Sequence, residues 1–577
     1  MYKIFMHKKM NENIFFVHFI FCCVTLLMLV TRFATLYTYN GADDLHYAFL
    51  SSKVLNGSYN MFFENDIFSA RPLVILYQAL WFKLFGINDF SMSMPSLSLL
   101  IVLAYFVCFR CGLQKRVYTT VLVSSIIYFN PVVNTATSGN LPDVYIALAG
   151  VLIFFLIKKN TAEQAKRRHV LTGIFAGLLL LAGLVLKESI VLIYAGAAIM
   201  LFYYRHKVAP SFLFALLTVF FVGSGIYLYC CYLYTGNAFY HFVQIKNSVY
   251  FNACSYDCLP TTALLKRLTI TVPFTAVISG AYPLLLVLPV LVAYKQYHNV
   301  EIRFWKIALV SLGLLAMYFP FSLSPYLPLC HEMRQFFFLF PFAAIVYLHA
   351  LQSVSLSEKN FRSISSITGI VFAILTVMVF MFSPYNKWSV LCYGLLSVTF
   401  IINIFLNKKW QQLVLYFIVP FILWLSTAYP LYKKPHTGYA ALKKIQHSLQ
   451  QDTVQAHTYY FLNNDTRSHF ALINQFDNTK QFLNLDTIQQ GFKPFIAYQP
   501  KNILDSAGNF KAGWLIVSNH YLENINTSQL QSINKQLEQL QPHISINKTA
   551  AYYINSAQTL KKIMNIVNVK YDNGGCF

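Results

Sequence analysis

The sequence is poor in charged residues. Only 11% of its 577 residues are Asp, Glu, Lys or Arg, whereas a soluble domain usually carries about 25%. Hydrophobic residues make up 57% of the chain and aromatic residues 17%. This balance excludes a disordered chain, a fibrous repeat protein and an ordinary cytosolic enzyme, and it indicates a protein with several membrane spans.

Several motifs of nucleotide, metal and serine chemistry are also missing. The sequence has no Walker loop, no GxGxxG fingerprint, no HExxH and no GxSxG. Most of the 11 cysteines lie in apolar runs, without the spacing that zinc sites need. Cys254 and Cys258 lie in a polar stretch instead. They could form a local disulfide if that stretch faces an oxidising compartment. Nucleotide-driven transport and soluble nucleotide-sugar chemistry therefore lack support.

Long apolar stretches are abundant instead. A membrane helix needs about 20 mainly apolar residues, and the sequence therefore predicts an α-helical polytopic membrane protein with about thirteen transmembrane helices. The first stretch has no clear small-residue cleavage site after it, which is typical of a retained anchor. The predicted spans are residues 14–36, 92–109, 117–133, 142–157, 170–186, 188–204, 211–234, 271–293, 306–322, 334–351, 364–382, 388–406 and 411–428.

Positive charge is unevenly distributed along the chain. There are 44 Lys and Arg residues against 21 Asp and Glu, a formal net charge of +23. Most of the excess lies in the N-terminus and in alternate loops, which the positive-inside rule assigns to the cytoplasm. The loops at 37–91 and about 235–270 and the C-terminal tail then face outward. The excess is an orientation signal, and it does not indicate nucleic-acid binding.

The composition changes after the last predicted span. Residues 436–577 are rich in Asn, Gln, Ser and Thr and contain no apolar run of membrane length. We predict a transmembrane catalytic domain at 1–430, with its outer loop at 37–91, and a small soluble extracytoplasmic α/β domain at 431–577. The tail is predicted to contain strands within 457–464, 480–485, 493–499, 513–519 and 549–555 and a helix at 522–541.

The first outer loop carries the strongest chemical signal. Asp43 and Asp44 are adjacent, just beyond the first predicted span. A general base that removes a hydroxyl proton is one reason to keep such a pair, and a divalent metal ion is another. Asp44 can also cap the helix that follows. The residues alone leave these readings open.

Other charged residues interrupt apolar stretches on the predicted outer side. Arg71 suits a phosphate group, although a lone interfacial Arg also snorkels. Asp143 starts the fourth span, where it can cap the helix. Lys187 and Glu188 lie at the outer end of the fifth span, either as an internal ion pair or as functional charges.

A second group of charges lies later in the chain. Arg334 stands at the outer start of the tenth span, and its partner is Glu332, a carboxylate of another helix or an anionic ligand. Lys266 and Arg267 precede the eighth span, and we predict them to be a solvated flank.

The order of these features resembles the GT-C membrane glycosyltransferases, and most nearly the protein O-mannosyltransferase-like branch that includes the bacterial lipid A aminoarabinose transferases. The likeness covers most of residues 14–350. Two departures leave the sugar and the acceptor open, since the family usually has Asp-Glu at Asp43-Asp44 and the lipid A enzymes have Glu-Lys-Pro-Pro near Arg71. The likeness is carried by Asp43-Asp44, His46-Tyr47, Leu55-Asn56-Gly57, Arg71-Pro72-Leu73, Leu84-Phe85-Gly86, Met94-Pro95-Ser96, Asp143, Lys187-Glu188 and Arg334.

This resemblance implies an inverting glycosyltransferase. It would move a sugar from a polyprenyl-phosphate donor to an envelope acceptor (lipid A, lipopolysaccharide, another glycan or a protein) at the outer face of the membrane. No cofactor is predicted, and a divalent metal ion at the acidic pair stays open. The implied roles are catalytic base for Asp43 or, second, Asp44, donor phosphate binding for Arg71, Arg334 and Lys187, and sugar or acceptor binding for Tyr47, Asp143 and Glu332.

The predicted location is a bacterial inner membrane, with the active site and the C-terminus in the periplasm. N-glycosylation sequons such as the one at Asn56 would be usable if the chain were instead a mannosyltransferase of the endoplasmic reticulum. Two other functions stay open. One is a flippase or transporter of lipid-linked sugars, and the other is an O-antigen ligase or polymerase with a diphosphate-linked donor.

Overall fold

A computed structural model gives the protein as two compact units. The first unit comprises Met1–Tyr37, Ala70–Val74 and Ser93–Lys434, and the second comprises Thr38–Ser69, Ile75–Met92 and Pro435–Phe577. Most of the predicted outer loop thus belongs to the same unit as the tail. The structure describes residues 2–34, 43–62, 68–111, 117–137, 139–161, 166–247, 260–293, 300–323, 326–330, 332–354, 358–383, 387–407, 410–411, 414–433, 437–452, 457–461, 464–477, 479–484, 512–518, 544–546 and 549–554.

Helices dominate the described residues. Irregular helical turns also occur at Arg267–Thr271, Met333–Leu339 and Val414–Ile418. The α-helices are α1 (Tyr2–Ala34), α2 (Asp43–Leu55), α3 (Pro72–Phe85), α4 (Asp89–Arg110), α5 (Val117–Tyr128), α6 (Pro131–Ala136), α7 (Asp143–Lys159), α8 (Lys166–Gly183), α9 (Ile190–Tyr203), α10 (Pro210–Thr235), α11 (Tyr240–Asn247), α12 (Thr261–Lys266), α13 (Val272–Ile278), α14 (Tyr282–Ala293), α15 (Val300–Tyr318), α16 (Phe340–Val354), α17 (Glu358–Phe382), α18 (Lys387–Phe405), α19 (Val419–Lys433), α20 (Thr437–Gln451) and α21 (Asn464–Ile473).

Many of these helices have the length and composition of membrane spans. Within the described residues, seven are long and apolar enough to cross a membrane, and shorter apolar helices accompany them. The predicted class of polytopic α-helical membrane protein is confirmed, and the count of thirteen spans stays a prediction. The seven are Ile14–Ala34, Asp89–Arg110, Pro210–Thr235, Thr261–Ile278, Met333–Leu351, Arg362–Phe382 and Lys387–Phe405.

One predicted span is wrong as a single helix. The stretch 271–293 divides into α13 and α14, because Gly280 takes a left-handed φ of 68°. The NH of Ala281 donates to the carbonyl oxygen of Ala276 at 3.0 Å, and the NH of Gly280 donates to the carbonyl oxygen of Val277 at 3.2 Å. These two hydrogen bonds form a Schellman motif, which ends a helix. The motif requires a residue with positive φ, and glycine adopts that conformation with little strain. Hydropathy alone does not register such an ending.

Two glycines allow α8 and α10 to approach closely in the first unit. A Cβ atom at Gly173 would lie 2.4 Å from the carbonyl oxygen of Phe212, and one at Gly177 would lie 2.8 Å from that of Leu216. Larger residues at either position would force the helices apart. Gly173 and Gly177 are four residues apart and therefore share one face of α8.

The second unit contains a five-stranded mixed sheet. Its strand order is β4-β3-β5-β7-β6, with β3 parallel to β4 and β5, and β7 antiparallel to β5 and β6. The small α/β domain is thereby confirmed as a fold, while the predicted strand at 493–499 and helix at 522–541 lie outside the described residues. The strands are β3 (Thr458–Phe461), β4 (Gln481–Asn484), β5 (Gly513–Ser518), β6 (Ile544–Ile546) and β7 (Thr549–Ile554), and the first unit has a hairpin of β1 (Pro320–Leu323) and β2 (Tyr326–Pro328).

Candidate functional site

The start of α3 and the start of α7 are held together by a buried amide. The side chain of Asn140 donates from Nδ2 to the carbonyl oxygen of Val74 at 2.8 Å, and its Oδ1 accepts from the Tyr145 hydroxyl at 2.7 Å. Asn140 is fully buried. These bonds bring Arg71, just before α3, to the same part of the first unit as Asp143, the first residue of α7.

Four of the predicted charged residues form two adjacent ion pairs. Arg71 Nη2 lies 2.8 Å from Glu188 Oε2, and Lys187 Nζ lies 3.1 Å from Asp143 Oδ1. Because Lys187 and Glu188 are consecutive, the pairs form a single group, the paired-charge cluster. Arg71 and Asp143 are each 3% exposed at the side chain. The cluster therefore holds two cations and two carboxylates in a largely dry environment.

Local chain geometry decides how these residues are presented. Lys187 and Glu188 occupy the turn between α8 and α9, and the NH of Ile190 bonds back to the Lys187 carbonyl at 3.0 Å. Pro142 occupies the cap position of α7 and Asp143 is the first helical residue. The carboxylate of Asp143 is thus directed to Lys187 and is not the cap of its own helix.

The electrostatics of the cluster favour ionised carboxylates. Burial raises the pKa of the Glu188 carboxyl, but the Arg71 guanidinium and the Lys187 ammonium outweigh burial and bring this pKa below its ordinary value. Glu188 is consequently charged at neutral pH. Its negative charge compensates that of Arg71, whose burial without a partner would be unfavourable.

One oxygen of the cluster has an unfilled hydrogen-bonding position. Asp143 Oδ2 is buried and has no hydrogen-bond partner among the described residues. Buried polar atoms are nearly always hydrogen-bonded, so an exception requires an explanation. A donor group of a ligand would provide one.

His241 lies near the same cluster and was not identified from the sequence. Its side chain is 7% exposed. Burial and the Arg71 guanidinium lower its pKa to about 4, while Glu188 acts in the opposite direction. A lone His in a long loop has no periodicity or motif that marks it, and only the tertiary structure brings it within electrostatic reach of Arg71 and Glu188.

Glu332 and Arg334 form a separate pair in the first unit. Arg334 Nε lies 2.8 Å from Glu332 Oε2, and their side chains are 18% and 54% exposed. Of the three partners that the sequence left open for Arg334, Glu332 is therefore present. Cys330, two residues before Glu332, is disulfide-bonded, whereas Cys254 and Cys258 lie outside the described residues.

Arg267 differs from its prediction as a solvated flank. It is 1% exposed, and its Nη2 donates to the carbonyl oxygen of Leu329 at 2.7 Å. It lies in an irregular helical turn, Arg267–Thr271, between α12 and α13. The reason for the difference is tertiary: the chain segment before Glu332 covers this guanidinium and accepts its hydrogen bond.

The acidic pair belongs to the second unit and opens α2. Asp43 is the first residue of the helix and partly buried, whereas Asp44 is fully buried and accepts from the NH of Leu45 at 3.0 Å. Because α2 already begins at Asp43, Asp44 is not its cap residue. Both carboxylates lie in the first turn, where the helix dipole favours negative charge.

Tyr47, on the same helix, has no exposed surface. Its ring contacts that of Phe68 edge-on, with centroids 5.2 Å apart. This burial favours a packing role, and binding of sugar or acceptor by Tyr47 stays a prediction.

The C-terminal part of the second unit packs on α2. Leu45 and Ala48 of α2 share a buried apolar cluster with Leu472 of α21 and with Phe476. Phe49 also contacts Phe476, with ring centroids 5.8 Å apart. The tail thereby fixes the helix that carries the acidic pair.

A strained turn presents the Phe476 ring to α2. Gln475 and Phe476 have φ values of 55° and 53°, which non-glycine residues rarely adopt. The backbone NH groups of both residues bond at 2.8 Å to carbonyls at the end of α21, and these bonds hold the turn. Such strain is retained where the surrounding structure over-determines it.

Replacing Phe476 with Ala should misplace α2. We expect destabilisation by about 3–5 kcal/mol. We also expect a fall on the order of 100-fold in the sugar transfer that the resemblance implies, because a small displacement of the predicted base would lower the rate by that much. The matched control is Phe470→Ala, since Phe470 is fully buried in the sheet core and is absent from the α2 cluster. Equal rate losses, measured below the unfolding temperature of both variants, would contradict the positioning role.

Metal binding has no ready-made site in the described part of the chain. No group of three or more His, Cys, Asp or Glu side chains there is placed to hold a metal ion. A divalent ion at Asp43 and Asp44 stays an open prediction.

Comparison with known proteins yields matches by structure alone. No protein-family model and no curated protein matches the chain. The structure of ArnT from Cupriavidus metallidurans bound to undecaprenyl phosphate aligns with a TM-score of 0.59 and 10% identity, over 93% of this chain and 98% of that one. The apo structure of the same protein aligns with a TM-score of 0.59 and 11% identity, over 92% and 97%.

The chain has the GT-C fold. The resemblance inferred from the acidic pair and the later cations is thereby confirmed at the level of fold. Within this GT-C fold, the structure brings Arg71, Asp143 and Lys187 into one cluster and pairs Glu332 with Arg334. It places Asp43, Asp44 and Tyr47 in the second unit.

Proposed function

We propose that the protein is a membrane glycosyltransferase that uses a polyprenyl-phosphate sugar as donor. The observation that carries this proposal is the paired-charge cluster of a GT-C fold, with Arg71 and Lys187 as cations and with Asp143 Oδ2 as a buried acceptor that has no partner among the described residues. Undecaprenyl phosphate is the ligand of the ArnT structure that aligns over 93% of this chain. A lipid-linked sugar requires cations that bind its phosphate and a hydrogen-bond acceptor for a sugar hydroxyl.

The two cations have distinct roles in this proposal. Arg71 presents a planar guanidinium, which suits phosphate oxygens. Lys187 carries three N–H donors, and one of them contacts Asp143 at 3.1 Å. The donor phosphodiester gains negative charge as the sugar leaves, and fixed cations stabilise that charge most strongly in a dry site. Asp143 Oδ2 accepts a hydrogen bond from a hydroxyl of the sugar.

Transfer then proceeds by inversion, with Asp43 as base. The acceptor hydroxyl gives its proton to the Asp43 carboxylate while its oxygen bonds to the anomeric carbon. The bond from that carbon to the phosphate oxygen breaks, and its electron pair leaves with the lipid phosphate. Asp43 is favoured over Asp44 because it keeps exposed surface, whereas Asp44 is fully buried. Arg334, held by Glu332, is a further cation for the donor phosphate, and Glu332 is a carboxylate for the acceptor or sugar.

The outer face of a bacterial inner membrane is the proposed location. The basic loops predict this orientation. The disulfide at Cys330 supports it, because disulfides persist in oxidising compartments outside the cytoplasm. Glu332 and Arg334 lie next to that cysteine in the sequence and would share its side of the membrane.

A donor comparison tests the function. The purified protein in lipid nanodiscs, supplied with envelope lipid extract, is expected to consume a polyprenyl-phosphate sugar and to form a glycosylated product, as followed by mass spectrometry. A polyprenyl-diphosphate sugar and a nucleotide sugar serve as comparison donors. Preference for the diphosphate donor would indicate a ligase or polymerase instead, and movement of the lipid across vesicles without bond transfer would indicate a flippase.

A further inference from the structure

His241 occupies a built position in the first unit. It lies on α11, in the predicted outer loop that follows α10. The chain leaves α10 through Gly236, whose φ is 71°, and Asn237 Oδ1 then accepts from the NH of Phe239 at 2.9 Å. This turn starts α11 and directs His241 inward, where the residue is 7% exposed.

The imidazole has an unfilled hydrogen-bonding position. Its Nδ1 is buried and has no hydrogen-bond partner among the residues that the structure describes. The charges of Arg71 and Glu188 both act on the pKa of His241, Arg71 lowering it and Glu188 raising it. Asp143 Oδ2 is likewise buried and has no partner in the described part of the chain, and Asp143 contacts Lys187, the neighbour of Glu188. Two unfilled positions therefore accompany one paired-charge cluster.

Charge determines what this imidazole can offer. Burial and the Arg71 guanidinium lower the pKa of His241 to about 4, against the opposite effect of Glu188. The ring is therefore neutral at neutral pH, and it adds no positive charge that would repel Arg71. A neutral imidazole has one N–H donor, whose position follows the partner that the ring meets.

We propose that His241 is a donor-site residue whose Nδ1–H donates a hydrogen bond to a phosphate oxygen held beside Arg71. This assignment rests on the proposed function and adds a residue to it. Arg71 supplies charge and His241 supplies a directed neutral donor. The ligand class is a phosphate ester, and a lipid phosphate and free inorganic phosphate share the chemistry that His241 recognises.

Three substitutions of His241 distinguish the loss of the Nδ1 hydrogen bond from the loss of the ring's volume. The amide of Asn can occupy the position of Nδ1 and that of Gln the position of Nε2, whereas Phe keeps the ring shape without a polar atom. In nanodiscs, His241→Phe and His241→Gln should weaken binding of undecaprenyl phosphate by about tenfold or more, and His241→Asn should stay within about threefold of wild type. His169→Phe is the control, because His169 is also buried but bonds to Asn160 Oδ1 at 2.6 Å.

The outcomes distinguish the two proposals. If wild-type protein binds undecaprenyl phosphate and all three His241 variants bind it equally well, the role of His241 is wrong and the proposed function stands. If wild-type protein binds none, the proposed function itself fails. A loss with Asn as large as with Phe overturns the assignment to Nδ1, and an effect seen with inorganic phosphate but not with the lipid overturns the lipid as ligand.

Discussion

Replacing Asp43 with Asn is expected to lower sugar transfer by about 10²- to 10⁴-fold, the usual contribution of a general base. Asn has nearly the shape of Asp but does not take up a proton at neutral pH. The fold should persist, because Asp43 lies at the partly exposed start of α2. The measurement is the initial rate of product formation with a polyprenyl-phosphate sugar, alongside thermal unfolding of the purified variant.

Companion variants show which carboxylate acts. Asp44→Asn retains an Oδ1 that can accept from the NH of Leu45, so a smaller rate loss is expected there if Asp43 is the base. Asp89→Asn is the matched control, since Asp89 belongs to the same unit but pairs with Tyr439 and Lys443. Full transfer by both the Asp43 and the Asp44 variant would show that neither carboxylate is the base.

Replacing Arg71 with Met is expected to impair both donor binding and stability. The phosphate loses its guanidinium, and the Glu188 carboxylate loses the partner at 2.8 Å. Removing one member of a buried ion pair typically costs about 3–5 kcal/mol, and the partial exposure of Glu188 (29%) places the expected loss at the lower end. Binding of undecaprenyl phosphate and the free energy of unfolding in detergent are the two measurements.

A second substitution separates these two effects. Adding Glu188→Gln to the Arg71→Met protein removes the uncompensated charge, so stability should recover while lipid-phosphate binding stays low. Arg303→Met is the control for loss of an Arg, because Arg303 is exposed and bonds to the Tyr203 hydroxyl. Recovery of binding in the double variant would refute the role of Arg71 at the phosphate.

The same pair has a defined pH dependence. The pKa of Glu188 in the folded protein lies below its ordinary value of 4.5, so the unfolded state takes up the proton first as the pH falls. The stabilisation from the pair is thus complete above the ordinary pKa, and it is lost as the pH falls through the lowered one.

Much of the fold follows from local properties of the chain. Hydropathy predicts α4, α10 and α18 to within a few residues of their observed ends, whereas α17 begins well before its predicted span, at Glu358. It joins α13 and α14 into one span, because the left-handed Gly280 between them is as apolar as its neighbours. Strand propensity identifies β3, β4, β5 and β7, whereas the three-residue β6 is too short to show a pattern.

The sequence by itself determined the membrane class and identified the acidic pair and most of the cations, whereas the orientation stays a prediction. Burying a charged side chain in a membrane is energetically unfavourable. Each charged residue in an apolar stretch can therefore be recognised without knowledge of its neighbours in space. The sequence could not determine which residues pair when they lie far apart in the chain. Arg71 and Glu188 are 117 positions apart, and Lys187 and Asp143 are 44 apart. Only the tertiary structure decided these pairings, the burial of Arg267 and the place of His241, because each depends on which helices meet and not on the residues beside it in the chain.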